Sequence, residues 1–381
     1  MSTSPGALEG IRIADFSRIL AGPFATMVLA DLGAEVIKVE RPGAGDDTRA
    51  WRPPVDSAGT STYFLAVNRN KESRAIDLQT DRGLEDAREL IASSDVVIEN
   101  FRSGLMDELG LGYEDLAAHD PRLVYCSITG FGNGAGASLP GYDLLIQAVG
   151  GLMSITGPET GGPQKVGVAI VDVLAGLFAT VGILAALRHR DATGEGQRIE
   201  IDLLTSLLSA LANQSSAFTA GGVVPGRLGN DHPSIAPYSA YRAADGDLVL
   251  AVGNDRQFGS LAEAAGKPGL ADDPRFVSNE LRVANRAALR DELELLLATD
   301  SVAGWEDRLA AARVPAGQVN DIGQAFAFAE SLGLNPTVEI DRESGDPVTL
   351  PRNPIGLSLT PATYRTAPPH LEDERTSDHG N

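Results

Sequence analysis

The stretch IRIADFSRILAGPFATMVLADLGAEVIKVE, Ile11–Glu40, contains two short apolar runs on either side of a helical pattern. The first run is Ile11–Phe16, and the second, Glu35–Glu40, alternates as a strand does. Between them, beyond an Ala-Gly-Pro turn, Phe24–Leu32 has the spacing of a helix and is closed by Gly33. A strand, a helix and a strand in one short stretch predict a βαβ unit and therefore a parallel sheet.

The alternation of helices and strands continues downstream. The further predicted elements are helices at Asp81–Ala92 and Leu203–Ala220 and strands at Asp95–Asn100, Leu123–Ile128 and Gln197–Asp202. This succession predicts an α/β fold in which a large domain has a Rossmann-like, doubly wound parallel sheet. No G-x-G-x-x-G motif follows the first strand, so the sequence lacks the fingerprint of a dinucleotide-binding site.

The character of the sequence changes after Gly221–Gly229, a glycine-rich segment that indicates a domain boundary. Beyond it, two strands are predicted around Asp245-Gly246, and helices are predicted at Asp255–Ala265, Asn279–Thr299 and Ser301–Ala312. These elements predict a smaller α+β domain at residues 225–325, after a large domain at residues 1–224. Another hairpin is predicted around Ser344-Gly345.

Composition and charge limit the class of protein. A chain of 381 residues is long for a single core, which favours two domains. The formal charge of −21 argues against nucleic acid as a partner, because binding its phosphates requires a basic face. The single cysteine, Cys126, excludes an intrachain disulfide framework and indicates a reducing compartment. It lies in the apolar run LVYCSI and is predicted to be a buried strand residue.

No stretch of the sequence indicates export or insertion into a membrane. The first residues, MSTSPGALEGIRIADF, lack a basic region followed by an apolar one, so no secretory signal is predicted. The longest apolar run, Val173–Leu187, has 15 residues. A membrane span needs roughly 20. We therefore expect a cytoplasmic protein that has neither a membrane nor a nucleic acid as a partner.

A single acid, Asp172, interrupts the apolar stretch VGVAIVDVLAGLFATVGILAAL at Val166–Leu187. Burying an ionised carboxylate is costly unless hydrogen bonds or a dipole compensate it. One interpretation is that Asp172 only caps a helix at Val173–Leu187. The other is that the positive end of this helix keeps the carboxylate ionised, and an ionised carboxylate is a nucleophile. The stretch by itself leaves both interpretations open.

Seven basic residues lie between Lys38 and Arg74, against five acids, which locally reverses the acidic character of the chain. This composition fits a small ligand that carries phosphates, although a solvated loop of mixed charge has the same composition. The five histidines lack metal-ligand spacing, so no metal site is predicted. A Walker loop and a G-x-S-x-G elbow are also absent from the sequence.

A set of motifs extends over nearly the whole chain. They are LEGIRIADF and the residues that follow it up to GDDTR at 8–49, NRNKES at 68–73, ENFRSG at 99–104, YCSITGFG at 125–132, PGYDLLIQAVGGLMSITG at 140–157, VGVAIVDVLAG at 166–176 and TGEGQRIEIDLL at 193–204. Together these motifs closely resemble the class III coenzyme A transferases, the CaiB/BaiF family. The segments GRLGNDHPSIAPY and VGNDRQF further resemble the branch acting on dicarboxylic acids, the succinyl-CoA:hydroxymethylglutarate transferases.

The resemblance implies that Asp172 is the nucleophile of a CoA-transferase. Its carboxylate would attack the thioester of an acyl-CoA donor, expected to be succinyl-CoA, and form an aspartyl-acyl anhydride. The CoA thiolate would convert this anhydride into an aspartyl-CoA thioester. An acceptor acid, expected to be a dicarboxylate, would then take the CoA through a second anhydride. CoA and acyl-CoA are substrates in this scheme, and no permanently bound cofactor is implied.

The resemblance also implies which residues bind CoA and substrate. Arg41 matches a position on the CoA side and is expected to bind phosphate. The other residues expected on the CoA side are Lys71, Arg74, Asn100, Phe101 and Arg102. Tyr142 and Asp143 match positions near the catalytic acid and are expected to bind substrate.

Two departures from the formyl-CoA transferases bear on the substrate. Those enzymes have Gln where this chain has Leu20, and a run of glycines near the segment GRLGNDH, which argues against formyl-CoA and oxalate as substrates. Arg227 and His232, in that segment, are expected to receive the distal carboxylate of a dicarboxylic acid, because arginine forms charge-assisted pairs with carboxylates.

The resemblance further implies an interlocked homodimer of two ring-like protomers. In each protomer residues 326–381 would complete the large domain. One alternative is an α-methylacyl-CoA racemase, but those enzymes carry His in G-H-D where this chain has Tyr142, and tyrosine is a poor base at neutral pH. Another alternative is a non-catalytic CoA-binding protein, which would keep the basic residues and would not need Asp172.

Overall fold

The computed structural model describes residues 6–371 and divides into two compact units. Within the described residues, the first unit is built from residues 6–152, 166–223 and 335–371, and the second from residues 153–165 and 224–334. The expected division at 1–224, 225–325 and 326–381 differs from these units chiefly at residues 153–165 and 326–334, which pack within the second unit.

Hydrogen bonds explain why residues 153–165 belong to the second unit. Arg227 donates from Nε to the carbonyl oxygen of Pro158 (3.2 Å) and from Nη2 to that of Gly161 (2.7 Å). The amide of Gly229 donates to the carbonyl oxygen of Gly157 (3.1 Å). These bonds connect segments far apart in the chain, and hydrophobic periodicity carries no information about such pairs.

The strands in chain order are β1 (Arg12–Asp15), β2 (Glu35–Glu40), β3 (Lys71–Ala75), β4 (Val96–Glu99), β5 (Val124–Thr129), β6 (Arg198–Asp202), β7 (Tyr238–Arg242), β8 (Asp247–Ala251), β9 (Ala316–Gln318), β10 (Thr337–Ile340) and β11 (Val348–Pro351). The helices in chain order are α1 (Ala21–Asp31), α2 (Thr62–Val67), α3 (Asp81–Ala92), α4 (Leu105–Glu108), α5 (Tyr113–Ala117), α6 (Asp143–Val149), α7 (Leu152–Ile155), α8 (Ile170–Thr193), α9 (Leu203–Ala210), α10 (Asn213–Thr219), α11 (Asp255–Ala264), α12 (Asn279–Ala284), α13 (Arg286–Leu297), α14 (Val302–Ala311) and α15 (Ile322–Ser331).

The first unit is built on a six-stranded sheet with the order β3-β2-β1-β4-β5-β6, in which all neighbours are parallel. This confirms the predicted α/β fold with a Rossmann-like parallel sheet. Strand β3 was not predicted, because its sequence KESRA lacks an apolar run. The strand order reverses between β1 and β4, and ligands of such sheets bind outside the carboxyl ends of the strands at this point.

The second unit contains an antiparallel three-stranded sheet with the order β7-β8-β9. Strands β7 and β8 flank Asp245-Gly246, which confirms the hairpin predicted there. Helices α11 to α14 surround a core that includes Phe258, Phe276 and Trp305. In the first unit, β10 and β11 flank Ser344-Gly345, which confirms the other predicted hairpin.

Helix α8 is longer than the helix predicted at its position. It begins at Ile170, and after Thr193 it ends on Gly194, whose φ of 83° is the left-handed conformation that glycine readily adopts. The N-cap is Ala169, so Asp172 lies inside the first turn and not at the cap position where it was predicted. The helix predicted at residues 203–220 is in turn divided into α9 and α10.

By length and composition, α8 is the one helix among residues 6–371 that could cross a membrane. The sequence analysis had judged this segment too short for a span, because it counted only the apolar run of 15 residues. Ala175, Ala179 and Ile183 on this helix are fully buried in a cluster with residues of α1 and the sheet. A core helix passes the same test of length and composition, and the burial of these side chains is what a core helix requires.

Helices α1 and α8 pack closely at Gly176. A Cβ atom at this position would lie 2.6 Å from the backbone oxygen of Ala21, so Gly176→Ala forces the two helices apart. We expect this substitution to lower the free energy of unfolding by about 1–3 kcal/mol.

The matched control is Gly259→Ala in α11, where an added Cβ meets no atom within 4 Å. That variant should be up to about 1 kcal/mol more stable than the original protein, because alanine has the higher helix propensity. Urea unfolding of both variants measures the difference, and equal effects would contradict the close-packing argument.

Candidate active site

Asp143 caps the start of α8. It is the first residue of α6, and its Oδ2 accepts hydrogen bonds from the amides of Val171 (2.8 Å) and Asp172 (3.4 Å). Its Oδ1 accepts a hydrogen bond from Nε2 of Gln147 (2.5 Å). The first amides of a helix have no partner within the helix, so Asp143 supplies the capping function that the sequence suggested for Asp172. Asp143 is therefore placed to position Asp172, and its expected contact with the substrate stays a prediction.

Asp172 combines partial burial with a nearby negative charge. Burial raises the pKa of Asp172 to about 7, and the charge of Asp143 adds to the rise. Residues four apart share a helix face, and Gly176, four residues on, lies against Ala21 at the start of α1. The start of α1 therefore lies about one helical turn along α8 from Asp172. Near neutral pH its carboxyl group is divided between the protonated form and the ionised form, and the ionised form can act as a nucleophile.

Tyr63 is a residue near Asp172 that the sequence analysis did not select. Burial raises the pKa of Tyr63 to about 12, with further contributions from the charges of Asp172, Asp143 and Asp46. Its ring contacts the edge of Trp51, with 5.1 Å between the ring centroids. The only available sequence signal was the presence of two aromatic residues around the polar loop after β2, which is too general to assign a site.

Three of the predicted CoA-binding residues lie at the carboxyl ends of β2 and β4, the two strands on either side of β1. Arg41 directly follows β2, and Asn100 and Phe101 directly follow β4. Arg18, beyond the end of β1, connects them and was not selected from the sequence. Its Nη1 donates to Asp47 (3.0 Å), which also accepts from Nη2 of Arg41 (2.5 Å). Its guanidinium lies 5.4 Å from the centroid of the Phe101 ring.

Lys71 is not available to a phosphate, which corrects its predicted role. Its side chain is fully buried and Nζ donates to Oδ2 of Asp15 (3.2 Å), the carbonyl oxygen of Pro23 (2.9 Å) and Oδ1 of Asn68 (3.1 Å). Burial lowers the pKa of Lys71 to about 8. A basic residue in a charged sequence segment looks exposed, but Lys71 opens strand β3 and its side chain points into the protein.

The remaining two predicted CoA-side residues are accessible. Arg102 is exposed and forms an ion pair with Glu108. Arg74 is partly exposed and lies 3.9 Å from a carboxylate oxygen of Glu72. Both residues stay predictions, because surface ion pairs of this kind are weak and a phosphate can replace them.

The predicted substrate-binding residues outside α6 and α8 have different environments. Tyr142, which precedes α6, is 65% exposed. Arg227 and His232 lie in the second unit. Arg227 is held by the two carbonyl oxygens described above, and Nδ1 of His232 accepts a hydrogen bond from the amide of Ser234 (3.1 Å). Their roles in substrate binding stay predictions.

Neither a metal centre nor a reactive cysteine is found in the part of the chain that the structure describes. Among residues 6–371, no group of three or more His, Cys, Asp and Glu side chains could hold a metal ion. Cys126 is fully buried in β5, which confirms that it is a buried strand residue. Burial, together with the charge of Glu99, raises the pKa of the Cys126 thiol, so this thiol is a poor nucleophile.

Comparison with known proteins gives the family. The model of CoA-transferase family III matches residues 8–375. The succinate–glutarate CoA-transferase of Agrobacterium fabrum is 43% identical over 379 residues, covering 97% of this chain and 94% of that protein. The acetyl-CoA:oxalate CoA-transferase of Acetobacter aceti is 40% identical over 355 residues, covering 93% of this chain and 90% of that protein.

A solved structure agrees with these sequence matches. The crystal structure of a CAIB/BAIF family protein from Brucella suis superposes with a TM-score of 0.86 at 42% identity and covers 99% of both chains. The similarity therefore extends over both units of this chain. With a family model that matches almost its whole length, the chain belongs to CoA-transferase family III and is a CoA-transferase.

Proposed function

We propose that this protein transfers CoA from succinyl-CoA to a dicarboxylic acid, and that glutarate is one such acceptor. The observation that carries the proposal is the place of Asp172, a partly buried carboxyl group with a pKa of about 7 in the first turn of α8. The name of the Agrobacterium fabrum relative supports this donor and acceptor. Oxalate must be tested beside glutarate, because the Acetobacter aceti relative is named for oxalate. The leucine at position 20, where formyl-CoA transferases have Gln, argues against oxalate as a substrate here.

The proposed reaction begins when the ionised carboxylate of Asp172 attacks the thioester carbonyl carbon of succinyl-CoA. The carbon–sulfur bond breaks, so CoA leaves as a thiolate and a mixed anhydride remains on Asp172. The thiolate then attacks the aspartyl carbonyl carbon of the anhydride. Succinate leaves as a carboxylate, and an aspartyl-CoA thioester is formed.

The second half repeats these steps with the acceptor acid. The acceptor carboxylate attacks the aspartyl thioester carbonyl, displaces the CoA thiolate and forms a new anhydride. The thiolate finally attacks the acceptor's acyl carbon, which yields the new acyl-CoA and restores the Asp172 carboxylate. No step consumes water or a net proton, so shielding from water preserves the activated acyl group.

The surroundings of Asp172 favour this chemistry. Partial burial limits the access of water to Asp172, and the start of α1 packs against α8 about one helical turn away, at Gly176. Backbone amides at the start of a helix have no intrahelical acceptor, so those of α1 are suited to stabilise the negative oxygen that forms at each attack. The N-terminus of α8 itself is already capped by Asp143, which leaves α1 as the source of these donors.

The test is to trap the intermediate. The protein would be incubated separately with succinyl-CoA, glutaryl-CoA, acetyl-CoA and oxalyl-CoA, quenched with hydroxylamine or borohydride, and mapped by peptide mass spectrometry. We expect succinyl-CoA to modify Asp172. Once glutarate is added, we expect glutaryl-CoA to form in solution. Absence of modification with every donor would overturn the proposal. If a chiral 2-methylacyl-CoA also lost its optical activity, that outcome would favour the racemase.

The rate of intermediate formation should rise with pH, because only ionised Asp172 attacks. Its midpoint is expected near 7, the pKa to which burial and Asp143 raise this group. Asp143→Asn removes the nearby like charge, so the pKa of Asp172 falls and the midpoint moves to lower pH. Asp143→Glu keeps the charge and should keep the midpoint near that of the original protein. A quenched-flow pH profile of Asp172 acylation measures both, and a midpoint that stays or rises in Asp143→Asn would contradict the coupling.

We also propose that the protein acts as a homodimer. Three apolar residues of α8 are exposed in the single chain, namely Leu177, Phe178 and Val181, and so are Leu208 of α9 and Phe218 of α10. Exposed apolar surface of this kind supports a subunit interface. Light scattering coupled to size-exclusion chromatography tests the proposal, with a mass of twice 39.8 kDa as the expected result. The interlocked arrangement, the cytoplasmic location and the lack of membrane or nucleic-acid partners stay predictions.

A further inference from the structure

Two arginines near the carboxyl ends of β1 and β2 donate hydrogen bonds to the same carboxylate. Arg18 follows β1 and Arg41 follows β2, and both donate to Asp47, through Nη1 at 3.0 Å and Nη2 at 2.5 Å respectively. This is the point of the sheet at which the strand order reverses, where ligands of such folds bind. The set Arg18, Arg41 and Asp47 is called the arginine cluster below.

The backbone of Arg18 is fixed by the end of β4. Oδ1 of Asn100 accepts from the amide of Arg18 and Nδ2 of Asn100 donates to its carbonyl oxygen, both at 2.8 Å. The amide of the next residue, Ile19, donates to Oδ2 of Asp46 (3.2 Å), and Ile19 has a φ of 69°, which is strained for a β-branched residue. Bonds on successive residues therefore hold Arg18 in place without using its side chain.

The guanidinium of Arg18 has donors to spare. Asp47 takes only Nη1, and within residues 6–371 the covered Nε of Arg18 has no hydrogen-bond partner. Because Nε is covered, the donor that a ligand can reach is Nη2, which forms no hydrogen bond within residues 6–371 on a side chain that is partly exposed. The planar fork of arginine matches a phosphate, so this geometry suits a further anion. The Phe101 ring lies 5.4 Å from the guanidinium and takes none of its donors.

The arginine cluster carries a net positive charge in a chain whose formal charge is −21. Its two arginines face one acid, and the other acids beside it are paired. Asp46 is paired with Lys38 (2.8 Å), and Glu40 is paired with Arg49 (2.7 Å). The side chains of Arg18, Arg41 and Asp47 are between 33% and 55% exposed, so a ligand can reach them.

We propose that Arg18 and Arg41 together form the site for a phosphate group of CoA, and that Asp47 occupies their donors until that phosphate replaces it. The proposal rests on the function proposed above and adds Arg18 and Asp47 to it. A phosphate brings more negative charge and more acceptor oxygens than a carboxylate, so the exchange strengthens the hydrogen bonds of both arginines. Asp47 then repels the bound phosphate and weakens CoA binding, which assists release of the product.

The proposal predicts opposite effects for the two partners of one ion pair. Arg18→Gln removes a phosphate ligand and should weaken CoA binding about tenfold. Asp47→Asn removes the competing charge and should tighten CoA binding about threefold. A purely structural ion pair would behave differently, because loss of either partner would loosen the same loop and weaken binding in both variants.

The experiment is isothermal titration calorimetry of the full chain with CoA, and with dephospho-CoA and pantetheine as probes. Arg82→Gln on α3, whose exposed side chain pairs with acids of the same helix, is the matched control and should bind CoA as the original protein does. Pantetheine carries no phosphate, so its binding should be equal in all variants. If the Arg18→Gln effect disappears with dephospho-CoA, the phosphate is the 3′-phosphate, and if it persists, the diphosphate is the ligand.

Several results would overturn the proposal. These are unchanged CoA affinity in Arg18→Gln, weaker binding in both variants, or an equal loss of pantetheine binding. Arg18→Lys retains the charge without the planar fork and should fall between Arg18→Gln and the original protein. Binding is measured without turnover, so failure of this site and failure of the proposed transfer reaction are separable. A protein that binds CoA in this way but never acylates Asp172 would contradict only the transfer reaction.

Discussion

Asp172→Asn is expected to reduce CoA transfer by about 10⁴-fold or more, the effect that loss of a covalent nucleophile has in other enzymes. The amide is nearly the same size and keeps one oxygen, but it cannot attack a thioester to form an anhydride. The measurement is the initial rate of glutaryl-CoA formation from succinyl-CoA and glutarate, followed by chromatography. CoA affinity should be unchanged, because neither Arg18 nor Arg41 contacts Asp172 through any described hydrogen bond.

A matched control separates loss of the nucleophile from loss of a helix-start acid. Asp202 caps α9 by accepting from the amide of Thr205 (2.7 Å), and it belongs to the same unit. We expect Asp202→Asn to retain a rate within about twofold of the original protein, because asparagine is as good a cap as aspartate. A rate in Asp172→Asn above a tenth of that of the original protein would show that Asp172 is not the nucleophile of the reaction.

Stability should move in the opposite direction from activity. The pKa of Asp172 in the folded protein, about 7, is above that of an ordinary carboxyl group, so the fold disfavours the ionised form. The folded state therefore holds this proton more tightly than the unfolded state, so the penalty grows from the ordinary carboxyl pKa up to about pH 7 and is complete above it. Asp172→Asn removes the penalty, and we expect its urea midpoint to exceed that of the original protein at pH 8. A lower midpoint would indicate that Asp172 is a stabilising cap.

Asp31→Ala is expected to lower the free energy of unfolding of the first unit by about 3–5 kcal/mol, the largest stability effect that we predict. Asp31 is fully buried and accepts from Nε (2.9 Å) and Nη2 (2.6 Å) of Arg69, from Nδ2 of Asn70 (2.8 Å) and from Nδ2 of Asn353 (3.1 Å). Its removal leaves a buried guanidinium without a counter-charge, and it breaks the bonds that join α1 to the segments around residues 70 and 353.

Urea unfolding can report on this unit alone. The chain has two tryptophans, Trp51 in the first unit and Trp305 in the second, so Trp305→Phe leaves Trp51 as the reporter. Asp86→Ala is the matched control because its pair with Arg82 is on the surface, and its expected effect is below about 0.5 kcal/mol. Adding Arg69→Met to Asp31→Ala should recover part of the stability, because the unpaired charge is then gone. A loss in Asp31→Ala as small as that in the control would refute the buried-pair argument.

The local parts of the fold were predictable from the sequence. Strand β2 matches its predicted bounds, Glu35–Glu40, and helix α3 matches Asp81–Ala92, because the signals for these elements lie within a few residues of one another. Strand β3 was missed because its charged residues form a strand only when β2 pairs with them. The break between α9 and α10 was missed because it occurs at Ala212, which has a φ of 46°. An alanine gives no sequence signal for a break, unlike a glycine or a proline.

The sequence by itself determined the parallel α/β fold, the family, and Asp172 as the candidate nucleophile, since each follows from motifs and periodic patterns that neighbouring residues carry. Only the tertiary structure decided that Asp143 caps α8, that Lys71 is buried and that Arg18 joins Arg41 at Asp47. The reason is physical: a pKa and an ion pair depend on burial and on charges within a few ångströms. Folding brings those charges together from residues that are up to tens of positions apart, as it does for Asp143 and Asp172.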